Sequence, residues 1–232
     1  MCEYWTSRMF TLEVVGTANA LVAGWGNLGA GVTPIIMGNL LFPLFIAFFG
    51  GDSEKAWRYV SIIPAFIAFV TGVVIYHISD DAPKGNYPAM KKAGSMESVS
   101  YSRSLFSGAS HINTWLLALQ YACCFGVELT MNSAAASYFR DEFGQSTESA
   151  AAIASIFGWM NLFARGVGGF YSDSANETRG MRGRLWVQTC LLIGEGVSVL
   201  CFALTHTLAG SIVVMIIFSL FVQASEGATY GK

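Results

Sequence analysis

Arg165, in the run "SIFGWMNLFARGVGGFYSD", is the residue of this 232-residue chain whose chemistry is hardest to place. Phe163, Val167 and Phe170 bracket it, and a guanidinium stays charged at any physiological pH. Deep in an apolar segment such a cation either snorkels to a membrane interface, here with Asp173 as partner, or lines a wet cavity prepared for an anion. Asn161 stands one helical turn before it and Gly158 two turns before, on the same face, while Gly168 and Gly169 clear space behind. A second stripe comes from Tyr121, Phe125, Glu128 and Asn132, spaced i, i+4, i+7 and i+11 along one helix face. A tyrosine hydroxyl with a ring one turn away suits a small planar anion. An isolated carboxylate in hydrocarbon has to be paired or protonated, so Glu128 is a candidate partner for Arg165 or a proton carrier. Glu195 in "IGEGV" and Glu226 in "ASEGATYG" are further acids in apolar runs, and the sequence does not choose among the three.

Near the start, Gly24-Trp25-Gly26-Asn27-Leu28-Gly29 satisfies the dinucleotide-binding pattern G-x-G-x-x-G. That chemistry needs a buried strand before the glycines, a helix opening from them and an acid about twenty residues on. Apolar sequence follows instead, and no Asp or Glu occurs between Glu13 and Asp52. The glycines fit a packing role better. Gly16, Ala20, Ala23, Asn27, Gly31 and Pro34 form a ridge of mostly small residues, widened by Gly24, Gly26 and Gly29, where another helix or a small ion can meet bare backbone. Packing does not explain Asn27, whose carboxamide at bilayer depth needs a polar partner.

The elements that must position these residues are membrane helices. Hydrophobic residues make up 53% and charged ones 12%, about half the usual charged share, with mean hydropathy +0.50. Six runs are long enough to cross about 30 Å of hydrocarbon. They cover about 14–49, 57–79, 112–136, 150–171, 185–204 and 208–225. The first is too long for one straight crossing, and Pro34 and Pro43 allow a kink or a re-entrant ending. The reading is all-α, a polytopic helical bundle. Between the second and third runs, residues 80–110 are rich in Ser, Lys, Pro and Gly and read as a flexible linker.

A net charge of −2 excludes a basic nucleic-acid surface, so no nucleic-acid partner is expected. Five cysteines without metal-ligand spacing and three isolated histidines point to neither a disulfide framework, a metal site nor a cofactor. No catalytic triad is discernible, and no cleavable signal peptide opens the chain. If the spans alternate, eight Lys and Arg, including Arg8, Lys84, Lys91, Lys92 and Arg179, fall on one side and three on the other. The positive-inside rule makes that side, with the linker and the loop "SDSANETRGMRGRLW", cytoplasmic. The sequon Asn176-Glu177-Thr178 would then stay unglycosylated.

"GTANALVAGWGNLGAGVT" resembles the nitrate signature of the nitrate/nitrite porter family within the major facilitator superfamily. "FARGVGGFYSD" followed by "RGMRGRLW" resembles that family's eighth helix and the loop after it, and "QYACCFGVELTMNSAAASYF" its seventh helix. The likeness is to the eukaryotic, plant- and alga-like branch and runs from about Trp5 to Gly231. It implies a twelve-helix, two-bundle carrier of nitrate and often nitrite, driven by protons and placed in the plasma membrane. By the same similarity Arg165 matches the substrate-binding arginine, Asn27 the signature asparagine lining the site, and Tyr121 and Phe125 the aromatic pair of the seventh helix.

On this resemblance the six spans are helices five to ten. Residues 1–79 end the N-terminal bundle, 80–110 link, and 111–232 belong to the C-terminal bundle. The first four helices, with a second arginine, and the last two, with a second nitrate signature, are then lacking. The expectation is a truncated product or partial gene model with Lys232 at an artificial end. Expected partners are nitrate or nitrite, protons and the lipid bilayer, with an accessory membrane protein left open. The rivals are a major facilitator carrier of another small anion, a non-transporting truncated or regulatory fragment that pairs through the glycine ridge, and a membrane-bound dehydrogenase using "GWGNLG".

Overall fold

A computed structural model describes residues 2–83, 85–94 and 100–230; Lys84 and the 95–99 stretch of the polar segment, and Lys232, lie outside the described residues. After a short amphipathic helix α1 (Cys2–Met9), the first span is one helical rod over Val15–Phe48. Its parts are α2 (Val15–Asn27), α3 (Gly29–Thr33), a π-helical stretch (Pro34–Leu41) and α4 (Phe42–Phe48). The π turns fall where Pro34 and Pro43 withhold backbone donors, so the prolines rewind the rod without ending it. The turn after α4 places Gly50 and Gly51 at φ 64° and 95°, a left-handed geometry that any Cβ would strain.

The second span joins α5 (Ser53–Val60) to α6 (Ile62–Ile78). Asp52 starts it by accepting a hydrogen bond from the Lys55 amide at 3.0 Å. The polar segment folds locally into α7 (Tyr87–Lys92) and α8 (Tyr101–Ser110), where the composition alone suggested a flexible linker. Pro88 at the start of α7 needs no amide partner there, which favours a short helix. The third span is α9 (Ile112–Phe143), closed by Gly144 at φ 61°. The fourth is α10 (Thr147–Trp159) followed by α11 (Asn161–Arg179), and α12 (Met181–Ala203) and α13 (Leu208–Thr229) complete the six. All six are long and apolar enough to cross a membrane.

Burial separates the spans. α11 packs along α2 and α13, and α13 also meets α9 and α12, whereas α6 buries no residue. An apolar core of Phe139, Ala150, Phe157, Met215, Phe218 and Val222 ties α9, α10 and α13 together. The other buried face of α13 is polar, with Ser219, Gln223, Ser225 and Glu226 inaccessible to solvent. At one end of the bundle Trp5 Nε1 donates to the Asp80 carbonyl (2.9 Å), and Asp173 accepts from Thr17. Residues before the first span, after the second and near the end of the fourth therefore share one end, as alternating crossings require.

Candidate anion site

Small residues bring the first span against the fourth. A Cβ added at Gly31 would lie 2.7 Å from the Trp159 amide nitrogen, and one at Gly24 would collide with the Asn161 carbonyl oxygen. Gly169 leaves equally little room against Ala20 and Gly16. Gly26 and Gly29 behave otherwise, since a Cβ at either would meet nothing within 4 Å. The tight crossing thus rests on Gly16, Gly24 and Gly31, which face α10 and α11. The break at Met160, between α10 and α11, lies at this crossing, and the α11 helix opens directly with Asn161.

Arg165 projects from the second turn of α11 into the space this crossing makes, and its side chain is 0% exposed. Its Nε donates to Asn161 Oδ1 at 2.7 Å and its Nη1 to the Tyr230 hydroxyl at 2.9 Å. Nη2 faces the carboxylates of both Glu128 and Glu226. With its amide oxygen turned to the guanidinium, Asn27 accepts from Nη1 at 3.3 Å and Nη2 at 2.6 Å. Asn161 Nδ2 in turn donates to Glu128 Oε1 at 3.0 Å. The five N–H groups of the guanidinium are thus surrounded by side chains from α2, α9, α11 and α13.

Tyr121 reaches this cluster through Tyr230, the two hydroxyls lying 2.9 Å apart. Phe125 stacks on Tyr121 with ring centroids 5.3 Å apart and planes 15° from parallel, so it joins the site through that ring. Asn132, the last residue of the same stripe, is exposed. Snorkelling is not what Arg165 does, and Asp173 is not its partner. Asp173 lies 2.7 Å from Arg184 Nη1 and accepts from both the amide and the hydroxyl of Thr17 at 2.6 Å. The groove of about 550 Å³ between α11, α12 and α13 and the cleft of about 570 Å³ between α9 and α12 are lined by other residues than Arg165.

Two members of the cluster take their place only in the folded chain. Glu226 is one of the acids among which the sequence does not choose, and Tyr230 stands outside the six apolar runs. Both lie beyond Ser225, where the apolar run stops, but α13 continues to Thr229. The legible signal was the spacing in "ASEGATYG", which sets Glu226 and Tyr230 one helical turn apart.

The family model of the Major Facilitator Superfamily matches residues 1–230. The chain belongs to the major facilitator superfamily. Among curated relatives, this major facilitator chain is 40% identical over 229 residues to the high affinity nitrate transporter 2.5 of Arabidopsis thaliana, covering 99% of the chain and 45% of that protein. It is 37% identical to the nitrate transporter 2.2 of Chlamydomonas reinhardtii, again covering 99% of the chain and 45% of the relative. The nitrate/nitrite transporter NrtP of Picosynechococcus sp. is 25% identical, with 97% of the chain and 57% of the relative covered. The chain spans about half the length of the curated relatives it matches. No solved structure matches it. Six membrane-spanning helices and this superfamily make it an integral, multi-pass membrane protein.

Proposed function

We propose that this chain supplies the anion-binding part of a nitrate carrier, a transporter and not an enzyme, whose substrates are nitrate and nitrite and whose driving ion is the proton. The observation that carries this reading is the fully buried Arg165, a permanent cation held at the crossing of the first and fourth spans. Asn27, Asn161, Tyr121 and Tyr230 give the site polar groups without a further positive charge. A planar fork of N–H donors matches a planar oxyanion in two-point contact, which a point charge cannot do. With its oxygen on Arg165, the Asn27 amide turns its NH₂ donor away from the guanidinium, and the stacked Tyr121–Phe125 pair offers a flat wall.

The close approach of Gly24 and Gly31 to the fourth span favours a small anion over an organic carboxylate. Names of relatives that contain the words nitrate or nitrite point the same way. In this reading residues 1–79 close the N-terminal bundle, 80–110 link on the cytoplasmic side, and 111–232 form part of the C-terminal bundle of a plasma-membrane protein. Transport would be positioning and electrostatics, with one bundle rocking on the other around the site.

The test is a nitrate titration of the chain in lipid nanodiscs, with nitrite and succinate as competitors. Nitrite should displace nitrate and succinate should not. Equal displacement by succinate would move the reading to a carrier of larger anions, and absence of nitrate binding to folded protein would sink it.

A further inference from the structure

An anion site already occupied by two carboxylates demands an account of its charge. Arg165, Glu128 and Glu226 have side chains that are 0%, 1% and 0% exposed. With both acids ionised, the cluster would carry one uncompensated negative charge in a medium that strongly disfavours it. No second cation stands nearby among the described residues. Besides Glu128, the ionisable groups around Glu226 are Tyr121 and Cys124 from α9, Glu195 from α12, Arg165 from α11 and Tyr230 just past the end of its own helix. α2 carries no ionisable residue, and the one in α10, Glu148, is exposed in its first turn.

The two acids are not equivalent. Glu128 receives Asn161 Nδ2 on one oxygen and Arg165 Nη2 on the other. Among the described residues, neither oxygen of Glu226 accepts a hydrogen bond, and its ion contact is to the same Nη2. Its carboxyl and that of Glu128 crowd the same guanidinium nitrogen. A proton placed on Glu226 relieves the crowding of two negative charges on one nitrogen.

We propose that Glu128 and Glu226 hold one proton between them over Arg165, resident chiefly on Glu226, and that an anion binding to Arg165 brings in a second. The second half rests on the anion-site reading. When the anion takes the guanidinium, its charge replaces that of Glu128, which is left without a counter-charge and takes a proton from hydronium or a buffer acid in the surrounding solution, whose bond to that proton breaks. The cluster passes from one cation, one carboxylate and one carboxylic acid to one cation, one bound anion and two carboxylic acids. It is neutral in both states, one O–H bond forms, and one proton enters per anion.

Infrared absorption of the chain in nanodiscs tests the resting state without any anion. At neutral pH, a protonated-carboxyl carbonyl band that shifts in D₂O is expected. Glu128→Gln and Glu226→Gln should each remove one protonated carboxyl per chain, because the remaining carboxylate then pairs one-to-one with Arg165 and ionises. Glu195→Gln should leave that component in place. A wild-type chain with no such band, or both cluster variants keeping its full intensity, would overturn the shared proton, and the wild-type result needs no variant to fold. Nitrate titration by calorimetry in two buffers of different ionisation enthalpy then reads the second proton. One proton per nitrate is expected, and nitrate binding with no uptake would overturn the coupling. Absence of nitrate binding alongside an intact band would instead overturn the anion site and its second proton, while the shared proton stands.

Discussion

Replacing Asp173 by Ala would remove the joint between the fourth span and the start of the first. Asp173 and Arg184 have side chains 8% and 3% exposed, with Nη1 2.7 Å from Oδ1, near enough for an ion pair though off the line of a hydrogen bond. The other Asp173 oxygen accepts from the Thr17 amide and hydroxyl, and so caps the first turn of α2. Stranding a buried arginine costs about 3–5 kcal/mol. Losing a hydrogen bond to a charged group adds roughly 1.5–3 kcal/mol. For a chain of this size 1 kcal/mol moves Tm by about 2–4 °C, so a fall of roughly 10 °C or more is expected.

The assay is a double-mutant cycle on the nanodisc-embedded chain, read by thermal unfolding and by amide hydrogen exchange at Thr17. Asp173→Ala and Arg184→Ala together should cost about 2–3 kcal/mol less than the sum of the single changes, since the second removal strands nothing new. Asp173→Asn, which keeps an acceptor for the Thr17 amide, should preserve protection at Thr17 while losing the ion pair. Additivity within about 0.5 kcal/mol, or unchanged exchange at Thr17 in Asp173→Ala, would refute the joint.

Arg165→Lys should weaken nitrate binding by roughly 10- to 150-fold, the equivalent of losing one charge-assisted hydrogen bond of about 1.5–3 kcal/mol, because Lys keeps the charge but not the fork; isothermal titration measures it, and unchanged affinity would remove Arg165 from the site. Gly158→Val should destabilise by about 1–3 kcal/mol or more through overpacking against Gly31, whereas Gly26→Ala and Gly29→Ala, which point into open space, should stay within about 0.5 kcal/mol or stabilise; thermal unfolding of the three separates them. Asp52→Ala should speed amide exchange at Lys55. The Lys55 amide and ammonium hold the Asp52 carboxyl below its ordinary range, so its contribution is present above the unfolded-state pKa and fades as pH falls through the lowered value; exchange that does not change with the substitution or with acid would count against the cap.

Much of the architecture is written locally. Hydropathy over about twenty residues counts the spans, because lipid tolerates only segments that satisfy their own backbone hydrogen bonds, and such segments need no distant partner to be recognised. Helical periodicity likewise set Asn161 below Arg165 and aligned Tyr121, Phe125 and Glu128 on one face, since those relations lie within a single helix. Fine boundaries were less legible. Composition ended the sixth span at Ser225, while the helix runs on to Thr229 and carries Glu226 into the cluster beside Arg165.

Which side of each helix meets which neighbour was decided only by the assembled bundle. Nothing local distinguishes Gly24 and Gly31, pressed on the fourth span, from Gly26 and Gly29, which face outward a turn or less away. Nothing local tells Arg165 that its carboxyl partners are Glu128, thirty-seven residues earlier, and Glu226 on the last helix and not the nearby Asp173. The sequence by itself determined that a cation and several acids lie within membrane helices and cannot stay there alone. Tertiary packing chose the pairs, because the cost of a bare charge in hydrocarbon fixes the need for a partner and leaves its identity to whichever helix face arrives.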